Sequence, residues 1–134
     1  MRRLSLIVGL VLLMATGPIF AQARTTWPST PMLTGVLVTV SSAAMRPASV
    51  KRTFQASGFT TAGAGASTII IEVSNLDPPG ANDWVVAGTI TLTLGTTPTS
   101  DGFVTDAPWT FVRARVSAIS GTNAAVSVVM GSGS

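Results

Sequence analysis

Residues 108–131 read PWTFVRARVSAISGTNAAVSVVMG. Thr110, Val112, Ala114, Val116 and Ala118 share one parity of the first half, and Trp109, Phe111, Arg113, Arg115 and Ser117 share the other. Alternation at period two puts successive side chains on opposite faces of a strand. The stretch therefore predicts two strands joined at Ser120-Gly121-Thr122-Asn123, read as a β-hairpin. Its chemistry raises a question at once, because two arginines stand in an otherwise apolar pair of strands.

The same period recurs upstream. In WVVAGTITLTLG, residues 84–95, Trp84, Val86, Ile90, Leu92 and Leu94 fall on one parity and Val85, Ala87, Thr89, Thr91 and Thr93 on the other. That assigns Trp84 to the core and makes Gly88 a bulge or bend. STIIIEVS, residues 67–74, has consecutive isoleucines and predicts a central strand with apolar surroundings on both faces. Residues 50–57 alternate less cleanly, with Val50, Arg52, Phe54 and Ala56 on one parity. Val36, Val38 and Val40 mark a first strand, and a short strand is expected over residues 103–105.

Between these runs, the segments 41–49, 75–83 and 96–102, each with proline, read as connections, and GFTTAGAGAS, residues 58–67, as a flexible loop. No sustained helical spacing occurs beyond the N-terminal segment. The fold class is all-β, an antiparallel β-sandwich or jelly roll of about seven to eight strands.

The N-terminus has the organisation of a secretory signal. Arg2 and Arg3 form a basic start, residues 4–15 an apolar stretch broken by Gly17-Pro18, and Ala21-Gln22-Ala23 a small-x-small cleavage site. The expected division is a signal peptide over 1–23, an extended leader over 24–32, one β-sandwich domain over 33–131 and a flexible tail over 132–134. Cleavage after Ala23 leaves no stable membrane span and directs the protein to a periplasm, a cell surface or the medium.

Composition excludes several function classes. Charged residues are 10% of the chain, and histidine and cysteine are absent. Without histidine the usual hydrolytic triad has no base; without histidine or cysteine, transition-metal sites lose their preferred ligands. Carboxylates in two loops, Asp77 and Asp83 with Asn82, and Asp101 with Asp106, lack the spacing of a dedicated calcium loop and read as turn initiators. The expectation is a non-enzymatic protein with no catalytic residues, no metal and no cofactor.

Removing Arg2 and Arg3 with the signal leaves six basic residues against five acidic ones, a net of +1. No basic stripe remains, so nucleic-acid binding is excluded. Glu72, in a strand and on the parity of Ile70, is a structural ion-pair partner for Arg113 or Arg115. Those two arginines have two readings: a wet strand face whose stems cover apolar neighbours, or bidentate partners for carboxylates of another subunit. Trp109, after a proline at the start of a strand, is the remaining candidate binding residue.

Residues 88–131 resemble small β-rich proteins of tailed bacteriophages and prophages. The likeness rests on an aromatic residue shortly before Arg113-Ala114, the Gly-centred turn and the closing Val-x-Val strand; residues 66–88, with Ser74-Asn75, a loop and then Trp84, resemble the preceding part. The resemblance implies a virion structural component, of capsid-decoration or fibre-associated type. Combined with an export signal, it points to a relocated, surface-exposed relative. The expected function is structural or surface assembly through protein–protein contacts, as a homo-oligomer or with other structural subunits. The alternative is a secreted carbohydrate-binding module that presents Trp109 and Trp27 to a glycan.

Overall fold

The computed structural model describes residues 28–133. Its regular structure is extended throughout: β1 (Ser29–Val36), β2 (Val40–Ser41), β3 (Lys51–Phe59), β4 (Ala62–Ser74), β5 (Val85–Leu94), β6 (Thr99–Thr105), β7 (Phe111–Thr122) and β8 (Ala125–Gly133). The strands form two four-stranded sheets, β1-β8-β3-β6 and β2-β7-β4-β5. Antiparallel pairs β1·β8, β2·β7, β3·β6 and β4·β5 nest within one another, as in a long ribbon folded back on itself. Rolled up, that ribbon is an eight-stranded jelly roll.

The ribbon changes sheet at every connection except the one between β4 and β5. This overturns the hairpin expected over residues 108–131, because β7 and β8 belong to different sheets. The physical reason lies in the faces. Val112, Ala114 and Val116 of β7 and Val126, Val128 and Met130 of β8 are all buried, and they meet across the core rather than side by side. Gly121 (φ +116°) and Asn123 (φ +46°) take the left-handed conformations that turn the chain from one sheet to the other.

Core residues come from both inner faces. Phe54 and Ala56 of β3 face Ile69, Ile71 and Val73 of β4 and Ile90, Leu92 and Leu94 of β5. β4 lies between β7 and β5, as its isoleucine run predicts. Phe54 and Phe103 stack in a tilted pair with centroids 5.4 Å apart. The Phe103 ring also covers Gly88 so closely that any side chain there would collide with it.

Gly88 adjoins a bulge. Ile71 pairs with Gly88, but Glu72 pairs with Val86, so Ala87 is an extra residue that reverses the parity of everything before it. The expectation that Trp84 and Val86 share the core face with Ile90 is therefore corrected. Val86 is exposed, and half-buried Trp84 precedes β5 and reaches the outer face of the second sheet.

Three further expectations change. The leader assigned to 24–32 ends earlier, since β1 begins at Ser29 and buries Met32 and Leu33, while Leu37 and Val38 are exposed between β1 and β2. The supposed flexible loop 58–67 is mostly strand, with a turn only at Thr60 and Thr61. Gly58 and Gly65 serve close approach, a side chain at Gly65 striking the Ser120 carbonyl, whereas Gly63 supplies a positive φ of +69°. At the other terminus, Ser132 and Gly133 continue β8 rather than forming a tail. The signal segment with Ala21 and Ala23, and Trp27, lie outside the described residues. Among the described residues, no helix is long and apolar enough to cross a membrane.

Candidate functional site

Arg113 and Arg115 lie on the outer face of the second sheet. Cross-strand register places Glu72 opposite Arg113 and Ile70 opposite Arg115, so Glu72 on β4 is a direct neighbour of one arginine and a diagonal neighbour of the other. Arg113 Nε donates to Glu72 Oε2 at 2.7 Å, and Arg115 Nε and Nη2 both reach Oε1, at 3.0 and 2.9 Å. One carboxylate thus accepts from two guanidinium groups of the same chain.

Glu72 is only 6% exposed although it is on an outer face. Trp84 helps explain this, because the Arg113 guanidinium lies 4.2 Å from the centre of its ring. Arg113 is thereby held between a carboxylate and an aromatic face, and the connection from β4 to β5 is fastened onto the sheet. A second arginine–aromatic contact lies nearby. Arg46 is 4.4 Å from the centre of Phe111 and forms an ion pair with Asp77.

Burial pushes the Glu72 carboxyl upward, but hydrogen bonds from Arg115 and Arg113, together with their charges, outweigh it and leave the group below its ordinary value of 4.5. Glu72 is consequently an acceptor-only carboxylate near neutral pH. The cluster suits structural fastening, and the guanidinium groups proposed as grips for another subunit are engaged within their own chain.

Three of the loop carboxylates also have local partners. Asp83 Oδ2 accepts from the Gly80 N–H at 2.6 Å, and Asp101 Oδ1 from the Gly102 N–H at 2.8 Å. Asp77 pairs with Arg46. Among the described residues, no group of three or more acidic side chains gathers as a metal site.

Trp109 stands apart from the arginine pair. It is half-buried, packs against the core, and its N–H donates to the Ala107 carbonyl at 3.0 Å. It lines a pocket of about 810 Å³ at the end of the sandwich where β3 begins and β8 finishes. Asn123 lies beyond the far end of β7, bonded to Thr61, and does not join it.

The fourth arginine of the described residues lies inside the sandwich. Arg52 is on the inner face of β3, in the same pocket lining as Trp109, and is 2% exposed. Its signal was present in the sequence: it shares the parity of Phe54 and Ala56, a position where a charge is anomalous.

No protein-family model matches the chain, and no curated protein matches it. Among solved structures it is similar to the PBSX exported protein XepA, known from a crystal structure, with 12% identity and a TM-score of 0.45. The similarity covers 80% of this chain and 38% of that one, so the chain spans well under half of that protein's length.

Proposed function

We propose that this chain is a non-enzymatic, phage-like assembly module that is exported and works through protein–protein contacts along one rim of its jelly roll. The observation that carries the reading is the pair of strands at that rim. β5 is the edge of one sheet and β6 the edge of the other, and Phe103 packed over Gly88 joins them. There Val85, Val86 and Val104 are 55%, 56% and 60% exposed, on strands whose outer backbone groups have no strand partner among the described residues. Edge strands that display apolar side chains template pairing with a further chain.

The likeness of residues 88–131 to phage structural proteins supports the same reading, and the N-terminal sequence supports export. Jelly rolls serve in capsids and in lectins alike, so the architecture does not favour one over the other. The carbohydrate-binding alternative calls for an open Trp109 platform beside polar groups; Trp109 is instead half-buried and packed against the core.

Light scattering on the purified protein, beside a Val86→Lys, Val104→Lys double variant, tests the proposal. A defined oligomer is expected, reduced to monomer by the two lysines without a change in thermal unfolding of the monomeric unit. A parent protein that stays monomeric at high concentration would overturn it.

A further inference from the structure

We propose that the pocket between Arg52 and Trp109 binds a carboxylate attached to a compact apolar body. The pocket is a second site, separate from the β5/β6 rim, and its occupancy does not depend on assembly there.

Two hydrogen bonds fix the guanidinium. Arg52 Nε donates to the Ser49 carbonyl at 2.6 Å and Nη2 to the Trp109 carbonyl at 2.9 Å, so the group bridges two backbone segments that both line the pocket. Nη1, fully buried, has no acceptor among the described residues. No described carboxylate forms an ion pair with Arg52: Glu72 is taken by Arg113 and Arg115, and Asp77 by Arg46. Burial also draws the Arg52 pKa down.

Such a charge is expensive to leave alone. Removing an ion from water costs several kcal/mol, which neutral carbonyls recover only in part and an anionic oxygen recovers best. Molecules of the size that a pocket of about 810 Å³ admits fall in the ordinary small-ligand range.

The walls select the rest of the ligand. Pro28, Pro47, Ala48, Val50, Pro108 and Trp109 give a largely apolar surround, and Arg52 is the cation buried within it. The one buried guanidinium, amid apolar walls, matches the single charge of a carboxylate, and exposed Lys51 in the lining adds attraction for an anion. A neutral sugar would leave the buried charge uncompensated. The carboxylate has two possible sources: a free small acid, or the end of a polypeptide. A protein expressed to Ser134 itself carries a terminal carboxylate one residue beyond Gly133, which lines the pocket.

Benzoate, with benzamide as its neutral counterpart, is the probe. Titrations of the purified protein followed by calorimetry and thermal shift should show benzoate binding roughly tenfold or more tightly than benzamide, the margin expected of a charge-assisted hydrogen bond. Two variants should each abolish the preference: Arg52→Met, which removes the charge, and Val50→Trp, which fills the pocket from an exposed position while leaving Arg52 in place. A parallel titration uses protein with a short neutral extension after Ser134. Benzoate binding by both forms identifies a free acid as the ligand source; binding by the extended form alone identifies the chain's own terminus. Equal binding of benzoate and benzamide, a preference unchanged in both variants, or no benzoate binding by either form would overturn the proposal.

Discussion

Two arginine sites in this protein receive opposite treatment. On the outer face of the second sheet, Arg113 and Arg115 share Glu72, and Trp84 covers Arg113. At the end of the sandwich, Arg52 is more deeply buried than either, yet among the described residues its partners are two backbone carbonyls and one of its nitrogens has none. The more expensive charge is therefore the less compensated one. A structural ion pair closes its own electrostatic circuit, whereas a buried cation left open is arranged for something that arrives from outside.

The comparison can be broken most forcefully at Glu72. Glu72→Ala leaves two guanidinium groups without their carboxylate and should lower the unfolding free energy by about 3 kcal/mol in urea titrations, toward the low end for buried pairs because both arginines are partly solvated. Arg52→Met should stay within about 1 kcal/mol of the parent in the absence of ligand, because it removes a charge that no described carboxylate balances. Equal losses at the two positions would erase the distinction.

Acid provides a subtler probe. The Glu72 pKa is depressed in the folded protein, so its contribution to stability is complete above the unfolded value near 4.5 and disappears as the pH falls through the folded value. Unfolding midpoints measured from pH 6 downward should fall below about pH 4.5, with a shallower fall in Glu72→Gln. The smallest effect is expected at Trp84→Leu, which keeps apolar cover but removes the ring beneath Arg113. A loss of about 1 kcal/mol in the same urea assay would match a partly solvated cation–π contact. A larger loss would mean that Trp84 fastens the β4–β5 connection mainly by packing.

Alternation made the strand content legible, and the isoleucines at 69–71 marked β4 as central. The Glu72 pairing was legible too, because Glu72 and the arginines occupy strands that one sheet can bring together. Three features escaped for specific reasons. One inserted residue at Ala87 inverted the parity of Trp84 and Val86, and a one-residue register change is invisible to a pattern that only counts twos. Gly58 and Gly65 looked like flexibility because composition cannot distinguish a mobile backbone from one approached closely by another strand. Arg52 was visible as an anomaly on a core parity, but only the surrounding carbonyls and the pocket gave that anomaly a chemical meaning.

Amino-acid order by itself determined that the chain would form strands, roughly where they would lie and which side chains would seek water, since these follow from local period and transfer free energy. Sheet membership was decided only in three dimensions. The residues at 108–131 satisfy a hairpin and a crossing between sheets equally well when read alone; the crossing prevails because it buries both apolar faces against each other while β4 and β3 supply the backbone partners on either side. The same packing brought Trp109, distant in the chain, onto an arginine whose other hydrogen-bond partner, Ser49, is local, so neither segment alone gives that charge its setting.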